Sequence, residues 1–143
     1  MRAFLQRVRE ASVQVDGHLV GRIGPGILLL LGAGQGDTES DCTWLLGRTG
    51  KLRIFPDEAG RMNYSLLDIQ GGLLVVSQFT LYADVTEGNR PGFSRALHPA
   101  AAEELYDFFL LKAREFYGER LQSGIAWPCQ GGEKGCALRC GFR

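Results

Sequence analysis

Gly24-Pro25-Gly26-Ile27-Leu28-Leu29-Leu30-Leu31-Gly32 places a short, unbroken apolar run between glycines and a proline. Its length and flanking turn residues predict a strand buried on both faces rather than a helix, which needs roughly ten or more residues. Upstream, Ala3 to Val8 reads as a first strand. Ser12 to Val15 and Leu19 to Ile23 flank Asp16-Gly17, a step that favours a tight hairpin. Downstream, Gly34 to Gly36 is a loop. Asp37 or Thr38 then caps a helix carrying Glu39 and Asp41 in its first turn, where the helix dipole favours acids. That helix runs to about Thr49, although Gly47 inside it costs on the order of 1 kcal/mol.

Leu52 to Phe55 reads as a further strand, Pro56 to Gly60 as a turn, and the stretch from Asn63 to Asp68 fits neither period. Leu73 to Tyr82 is predicted to be a long strand, with Ser77, Phe79 and Leu81 on one face and Gln78, Thr80 and Tyr82 on the other. A polar loop from Ala83 to Phe93 precedes a second helix opened by Pro99 and stopped by Gly118. Ala101, Leu105, Phe108, Phe109, Ala113 and Phe116 form its expected apolar stripe. After Gly124 no helical or strand period remains, so residues 125–143 are predicted to be irregular. The pattern implies one α/β layered domain over 1–143, with mixed sheets, two main helices and an atypical tail.

Composition narrows the function. The 143 residues are 45% hydrophobic and 22% charged, ordinary for a globular protein, and carry zero formal net charge. A protein gripping a long nucleic-acid backbone is usually strongly basic, so any such contact is expected to be short. The N-terminus lacks the apolar run of a signal peptide and the longest apolar stretch is too short for a membrane span, so a cytoplasmic location without membrane contact is expected. Cys129, Cys136 and Cys140 follow a C-x6-C-x3-C spacing with no paired C-x2-C and no adjacent histidine. That is a poor zinc pattern, and neither a metal nor a cofactor is expected.

His18 beside the hairpin turn and His98 before the second helix sit where solvated or capping side chains are common. No Ser-His-Asp set, G-x-S-x-G elbow or H-E-x-x-H motif assembles, and Gly32-x-Gly34-x-Gly36 lacks the Lys-Ser/Thr of a phosphate loop. The residues out of place are Ser77, Gln78 and Thr80, which interrupt an otherwise oily strand. A buried polar group costs a few kcal/mol unless hydrogen-bonded, so they mark a strand end emerging into solvent, side chains satisfied by a neighbouring loop, or a site.

Ser77-Gln78-Phe79-Thr80-Leu81, continuing as Tyr82-Ala83-Asp84, resembles the signature of the D-aminoacyl-tRNA deacylases. Gln6-Arg7-Val8, Ala11-Ser12-Val13, Gly24-Pro25-Gly26, Leu52-Arg53-Ile54-Phe55, Met62-Asn63 with Ser65-Leu66-Leu67-Asp68, and Arg90-Pro91-Gly92-Phe93 extend the likeness in order and spacing over roughly residues 1–124. The resemblance implies a layered β/β/α fold, a homodimer with its site at the subunit interface, and hydrolysis of the ester joining a D-amino acid or glycine to the terminal adenosine of tRNA. It implies the aminoacyl-tRNA 3′ end as partner, with no DNA. It places Phe79, Thr80 and Gln78 in the catalytic strand: a main-chain N–H near Phe79 stabilises the oxyanion, the 2′-hydroxyl of the tRNA assists, and Thr80 as nucleophile is the alternative. Ser77, Leu81, Met62, Arg7 and Phe93 are the implied substrate-binding residues.

One part of the pattern is absent. The family's second motif, Asn-x-Gly-Pro-x-Thr with a cis Gly-Pro bond credited with excluding L-amino acids, has no counterpart. The chain's one Gly-Pro is Gly24-Pro25, and the tail offers Trp127-Pro128 instead. The expectations for the tail are a shifted reading frame, a variant that rejects L-substrates by other means, or a homologue that binds tRNA ends without editing them. The apolar strand expected around the second motif is missing as well, a loss expected to weaken the dimer or expose a sheet edge.

Overall fold

The computed structural model describes residues 1–124 and the backbone of Cys136–Gly141. Strand β1 (Arg2–Val8) runs antiparallel to β4 (Gly26–Gly32), which runs parallel to β7 (Gly72–Ser77), itself parallel to β8 (Leu121–Ser123). These four form the central sheet in the order β1-β4-β7-β8. A second sheet, in the order β3-β2-β9, joins β2 (Glu10–Val15), β3 (His18–Ile23) and β9 (Cys136–Gly141). The hairpin turn between β2 and β3 has Asp16 at φ 50° and Gly17 at φ 78°, the left-handed pair that a two-residue turn needs.

Strand periodicity sets the layers. Ile27, Leu29, Leu31, Leu73, Val75 and Leu121 face one side of the central sheet. They are buried there with Cys42 and Leu46 of α1 (Glu39–Lys51) and Tyr106, Phe109, Ala113 and Tyr117 of α2 (Pro99–Tyr117). The alternate residues Leu28, Leu74 and Val76 pack on the other side with Val8, Ala11, Val13 and Ile23. The result is the expected layered β/β/α arrangement, with β4 apolar on both faces because each face has its own cover.

Four local expectations are corrected. The strand predicted over Leu73 to Tyr82 ends at Ser77, and Phe79–Tyr82 form a 3-10 turn, so the face alternation does not extend past Ser77. The cause is lack of a partner: the parallel ladder finishes at Leu31 opposite Ser77, and Gln78 N–H closes it on Leu31 O at 2.7 Å. The strand expected over Leu52 to Phe55 shrinks to β5 (Phe55–Pro56), paired with β6 (Met62–Tyr64), since residues 52–54 have no facing strand. The second helix buries Tyr106, Phe109, Ala113 and Tyr117, while Phe116 is 62% exposed. Two tyrosines thus join its inner face, and the Tyr106 hydroxyl shares its proton between Val75 O (3.0 Å) and Gly124 O (3.1 Å). Finally, the tail is not irregular throughout: β9 pairs antiparallel with β2, Cys136 opposite Val15 and Gly141 opposite Glu10. The open ladder edge of β2 recruits a segment with little strand propensity of its own. The expectations for Trp127-Pro128 and Cys129 lie outside the described residues, as do the side chains of Cys136 and Cys140.

The first helix is capped by Thr38 rather than Asp37. The Asp41 carboxylate accepts the Thr38 main-chain N–H and the Thr38 hydroxyl, each at 2.8 Å, and these bonds hold its pKa below the usual value.

Glycine is required where β4 meets β7. A Cβ on Gly26 would stand 2.0 Å from Gly72 O, whereas a Cβ on Gly47 would meet nothing within 4 Å. Gly26→Ala is therefore expected to destabilise the protein by about 2 kcal/mol or more through overpacking. Gly47→Ala is expected to stabilise it by about 1 kcal/mol through helix propensity. Urea unfolding of both variants checks the opposite signs.

Candidate active site

Where β4 and β7 end, the sheet opens into a small cleft lined by Leu31, Gly32 and Ala33 from one strand end and Ser77, Gln78 and Phe79 from the other. Leu97, Ala102, Tyr106 and the Met1 side chain complete its walls. The carboxyl ends of parallel strands are where open α/β sheets place ligands, because the connections diverge there. Two constraints hold the mouth. Leu97 N–H bonds Ala33 O at 3.0 Å and Gln35 N–H bonds Arg95 O at 3.0 Å, tying the loop before α2 to the loop after β4. Opposite them, Leu81 N–H to Gln78 O (3.3 Å) and Ala83 N–H to Thr80 O (3.0 Å) wind the turn that leaves β7.

The lining is apolar surface, main chain and a few neutral polar groups. Among the described residues that line the cleft there is no histidine, carboxylate, lysine or cysteine. The Tyr106 phenol is raised far above its ordinary pKa, chiefly by burial and then by the Asp107 charge, and is already bonded to two carbonyls. These described residues present no nucleophile–base pair. What they can supply is a dry, shaped wall with fixed main-chain dipoles, a device that acts by stabilising charge as it develops. Among the described residues no group of three or more His, Cys, Asp or Glu is placed to hold a metal ion.

Of the residues singled out in the sequence, Ser77, Gln78 and Phe79 line the cleft. Thr80 and Leu81 lie in the adjoining turn: Gln78 Nε2 donates to Thr80 Oγ1, and Leu81 O accepts Arg2 Nη1 at 2.6 Å. Among the described residues no histidine or carboxylate bonds the Thr80 hydroxyl, which accepts from Gln78 Nε2. Phe93 meets Phe79 edge to face, the ring centroids 5.1 Å apart, and so walls the outer side of the turn. Arg7 and Met62 do not line the cleft. Arg7 Nη1 donates to Ile54 O at 2.5 Å, and Met62 lies 69% exposed on β6. Neither histidine is among the lining residues: His18 is exposed with Nδ1 3.0 Å from Asp16 O, and His98, next to Leu97, caps α2 through its carbonyl. Sequence reading missed Met1, Leu31, Gly32, Ala33, Leu97, Ala102 and Tyr106. The glycines closing β4 were the available signal, since Gly32 and Gly34 leave room for Gln78 O and the Tyr82 ring.

A D-Tyr-tRNA(Tyr) deacylase family model matches residues 4–126, most of the chain. This chain belongs to that family. It is 60% identical over 106 residues to a D-aminoacyl-tRNA deacylase of Jannaschia sp., covering 74% of this chain and 72% of that one. Among solved structures, a c-Myc DNA unwinding element binding protein superposes with a TM-score of 0.87 at 35% identity, over 98% of this chain and 91% of that one. A probable eukaryotic D-amino acid tRNA deacylase shares the fold at 17% identity and a TM-score of 0.76, over 96% and 92% of the two chains. The family membership confirms the resemblance carried by Ser77 to Leu81 and its flanking motifs.

Beside the cleft, Cys42 is buried, its thiol 3.5 Å from Leu105 O and 3.4 Å from Met1 Sδ. Burial, and then the Asp37 and Asp41 charges, push its pKa up to about 11. A thiol is nucleophilic only as thiolate, so Cys42 stays protonated and inert until the pH nears that value. In native protein at pH 8 the Cys42 peptide is expected to escape iodoacetamide and to react fully in urea. Peptide mapping by mass spectrometry checks this, and rapid native labelling would contradict the burial.

Proposed function

We propose that this chain hydrolyses the ester of D-aminoacyl-tRNA, and of glycine mischarged on tRNA, releasing free amino acid and tRNA in a proofreading step of translation. The observation that carries the proposal is the cleft at the ends of β4 and β7, built around Ser77-Gln78-Phe79 in a chain of the deacylase family. An ester is already activated, and orientation plus charge stabilisation supply much of what its hydrolysis needs.

In this reading the aminoacyl group enters the cleft and the terminal adenosine stays near its mouth. A main-chain N–H of the turn beginning at Phe79 donates to the carbonyl oxygen as it becomes an oxyanion, a contribution of about 3–4 kcal/mol for one well-placed donor. Water attacks the carbonyl carbon, the C–O bond to the ribose breaks, and the ribose oxygen takes the proton. Since no lining side chain is a base, the 2′-hydroxyl of the substrate gives the attacking water its help. Ser77 and Gln78 shape the wall, and Phe93 backs Phe79. Thr80 is a turn residue in this mechanism, not the nucleophile, because among the described residues none beside its hydroxyl accepts a proton from it. The chain acts as a homodimer on the tRNA 3′ end, in the cytoplasm. Zero net charge suits a protein that holds only that end, and among the described residues no helix is long and apolar enough to cross a membrane.

The purified protein is expected to release D-tyrosine from D-tyrosyl-tRNA at submicromolar concentration. Thr80→Ala should keep the rate within about tenfold of wild type, as removal of a hydrogen-bonding hydroxyl allows. Ala33→Leu, which fills the cleft, should lower it by about 100-fold or more while the circular dichroism spectrum is preserved. Complete loss of activity in Thr80→Ala, or full activity in Ala33→Leu, would remove the mechanism.

A further inference from the structure

The turn Phe79–Tyr82 has left the sheet, and the Leu81 and Ala83 N–H groups wind it locally onto Gln78 O and Thr80 O. What fixes it against the opposite wall is Tyr82. The ring is 9% exposed and fills the space that Gly32 and Gly34 leave open: a Cβ on Gly34 would lie 2.4 Å from the phenol oxygen, and one on Gly32 would lie 3.4 Å from Cδ2. The Tyr82 hydroxyl donates to Asp37 Oδ2 at 3.3 Å, and the same oxygen accepts Gly34 N–H at 2.6 Å. The α-ammonium group of Met1, whose side chain lines the cleft, contacts Asp37 Oδ1. From β1, Arg2 places its guanidinium 4.5 Å from the Tyr82 ring centroid and donates to Leu81 O at 2.6 Å. One largely buried carboxylate thus joins both walls of the cleft: the loop after β4 through Gly34, and the turn after β7 through Tyr82.

We propose that Asp37, acting through Tyr82, is a positioning residue for deacylation: it sets the tilt of the turn Phe79–Tyr82 against Gly32–Ala33, and hence the direction in which that turn's main chain faces the ester. This rests on the function proposed above. Neither side chain touches the substrate; Asp37 lies outside the lining and Tyr82 points away from it into the Gly34 gap. Burial first, and then the Asp37 charge, raise the Tyr82 pKa, so the phenol is a steady donor over the working pH range.

The test uses Tyr82→Phe, which keeps the ring and the Arg2 contact and removes only the hydroxyl, together with Asp37→Asn and the double variant. Each is assayed on D-tyrosyl-tRNA and by hydrogen exchange of the peptide spanning residues 77–83. Tyr82→Phe is expected to lower kcat by about 3- to 10-fold with KM within about twofold, and to speed exchange of that peptide about fivefold while β4 is unchanged. Asp37→Asn should cost at least as much, and the double variant no more than Asp37→Asn alone, as coupling through one bond requires. Wild-type kcat in both single variants overturns the proposal, whatever happens to their melting temperatures, and so does a fall in kcat without faster exchange. If the wild-type protein releases no amino acid from any charged tRNA, the function proposed above fails instead. Exchange then judges the anchor: faster exchange in both variants supports it, and unchanged exchange overturns it.

Discussion

The parallel pairing of β4 with β7, and the point at which it stops, is the constraint on which the rest depends. Six register pairs run from Gly26 opposite Gly72 to Leu31 opposite Ser77. At the first of them two glycines let the backbones touch, and at the last the Gln78 N–H closes on Leu31 O. Beyond that bond β4 turns away at Gly32, so β7 has no ladder to continue. A chain that loses its sheet partner must bond to itself or to side chains, since buried main-chain groups are seldom left unpaired. The 3-10 turn Phe79–Tyr82 is the local solution, and the gap between the two departing chains is the cleft.

Seen this way, the polar residues Ser77 and Gln78 are not defects in a core strand. They stand where the strand ceases to be core: Leu73 to Val75 are fully buried, Val76 is 7% exposed, and Ser77 and Gln78 are half-buried at the cleft wall. Polar side chains here are partly solvated and cost little, while the main chain beside them departs from sheet geometry. An activity that relies on main-chain donors needs this junction, because a residue inside a sheet spends its N–H on its neighbour strand.

How much of this the sequence disclosed follows from the range of the interactions involved. Ile27–Leu31, the Asp16-Gly17 hairpin, Pro99 and Gly118 are local signals, and the structure places a strand, a turn and the two ends of a helix there. The end of β7 was invisible because it is decided by where β4 stops, more than forty residues earlier in the chain. The inner face of α2 was misjudged because Tyr106 and Tyr117 carry hydroxyls, and only the fold shows that Val75 O and Gly124 O are there to meet the first of them. Strand β9 escaped for the same reason, its pairing being set by the open edge of β2 and not by the residues 136–141. Ser77, Gln78 and Phe79 were legible as an interruption of the apolar pattern. Ala33, Leu97 and Ala102 carry no such mark, since a wall made of small apolar residues looks like any other part of a core.

The described walls of the cleft come from the part of the chain before the atypical tail. Every described residue lining the cleft falls between Met1 and Tyr106, and the bonds that hold its mouth fall within the same span. The backbone of Cys136–Gly141 lies along β2, on the sheet that covers the opposite face of the central layer from α1 and α2. The described cleft and the departure from the Asn-x-Gly-Pro-x-Thr pattern thus lie in different parts of the chain. A cleft of main chain and neutral side chains has little by which to tell one enantiomer from the other beyond shape, since mirror-image ligands present the same groups. Discrimination between them requires a steric obstacle at the α-carbon, and that obstacle is a separate device from the donors that stabilise the oxyanion. Under the function proposed above, enantiomer choice and turnover are thus questions for different parts of the site.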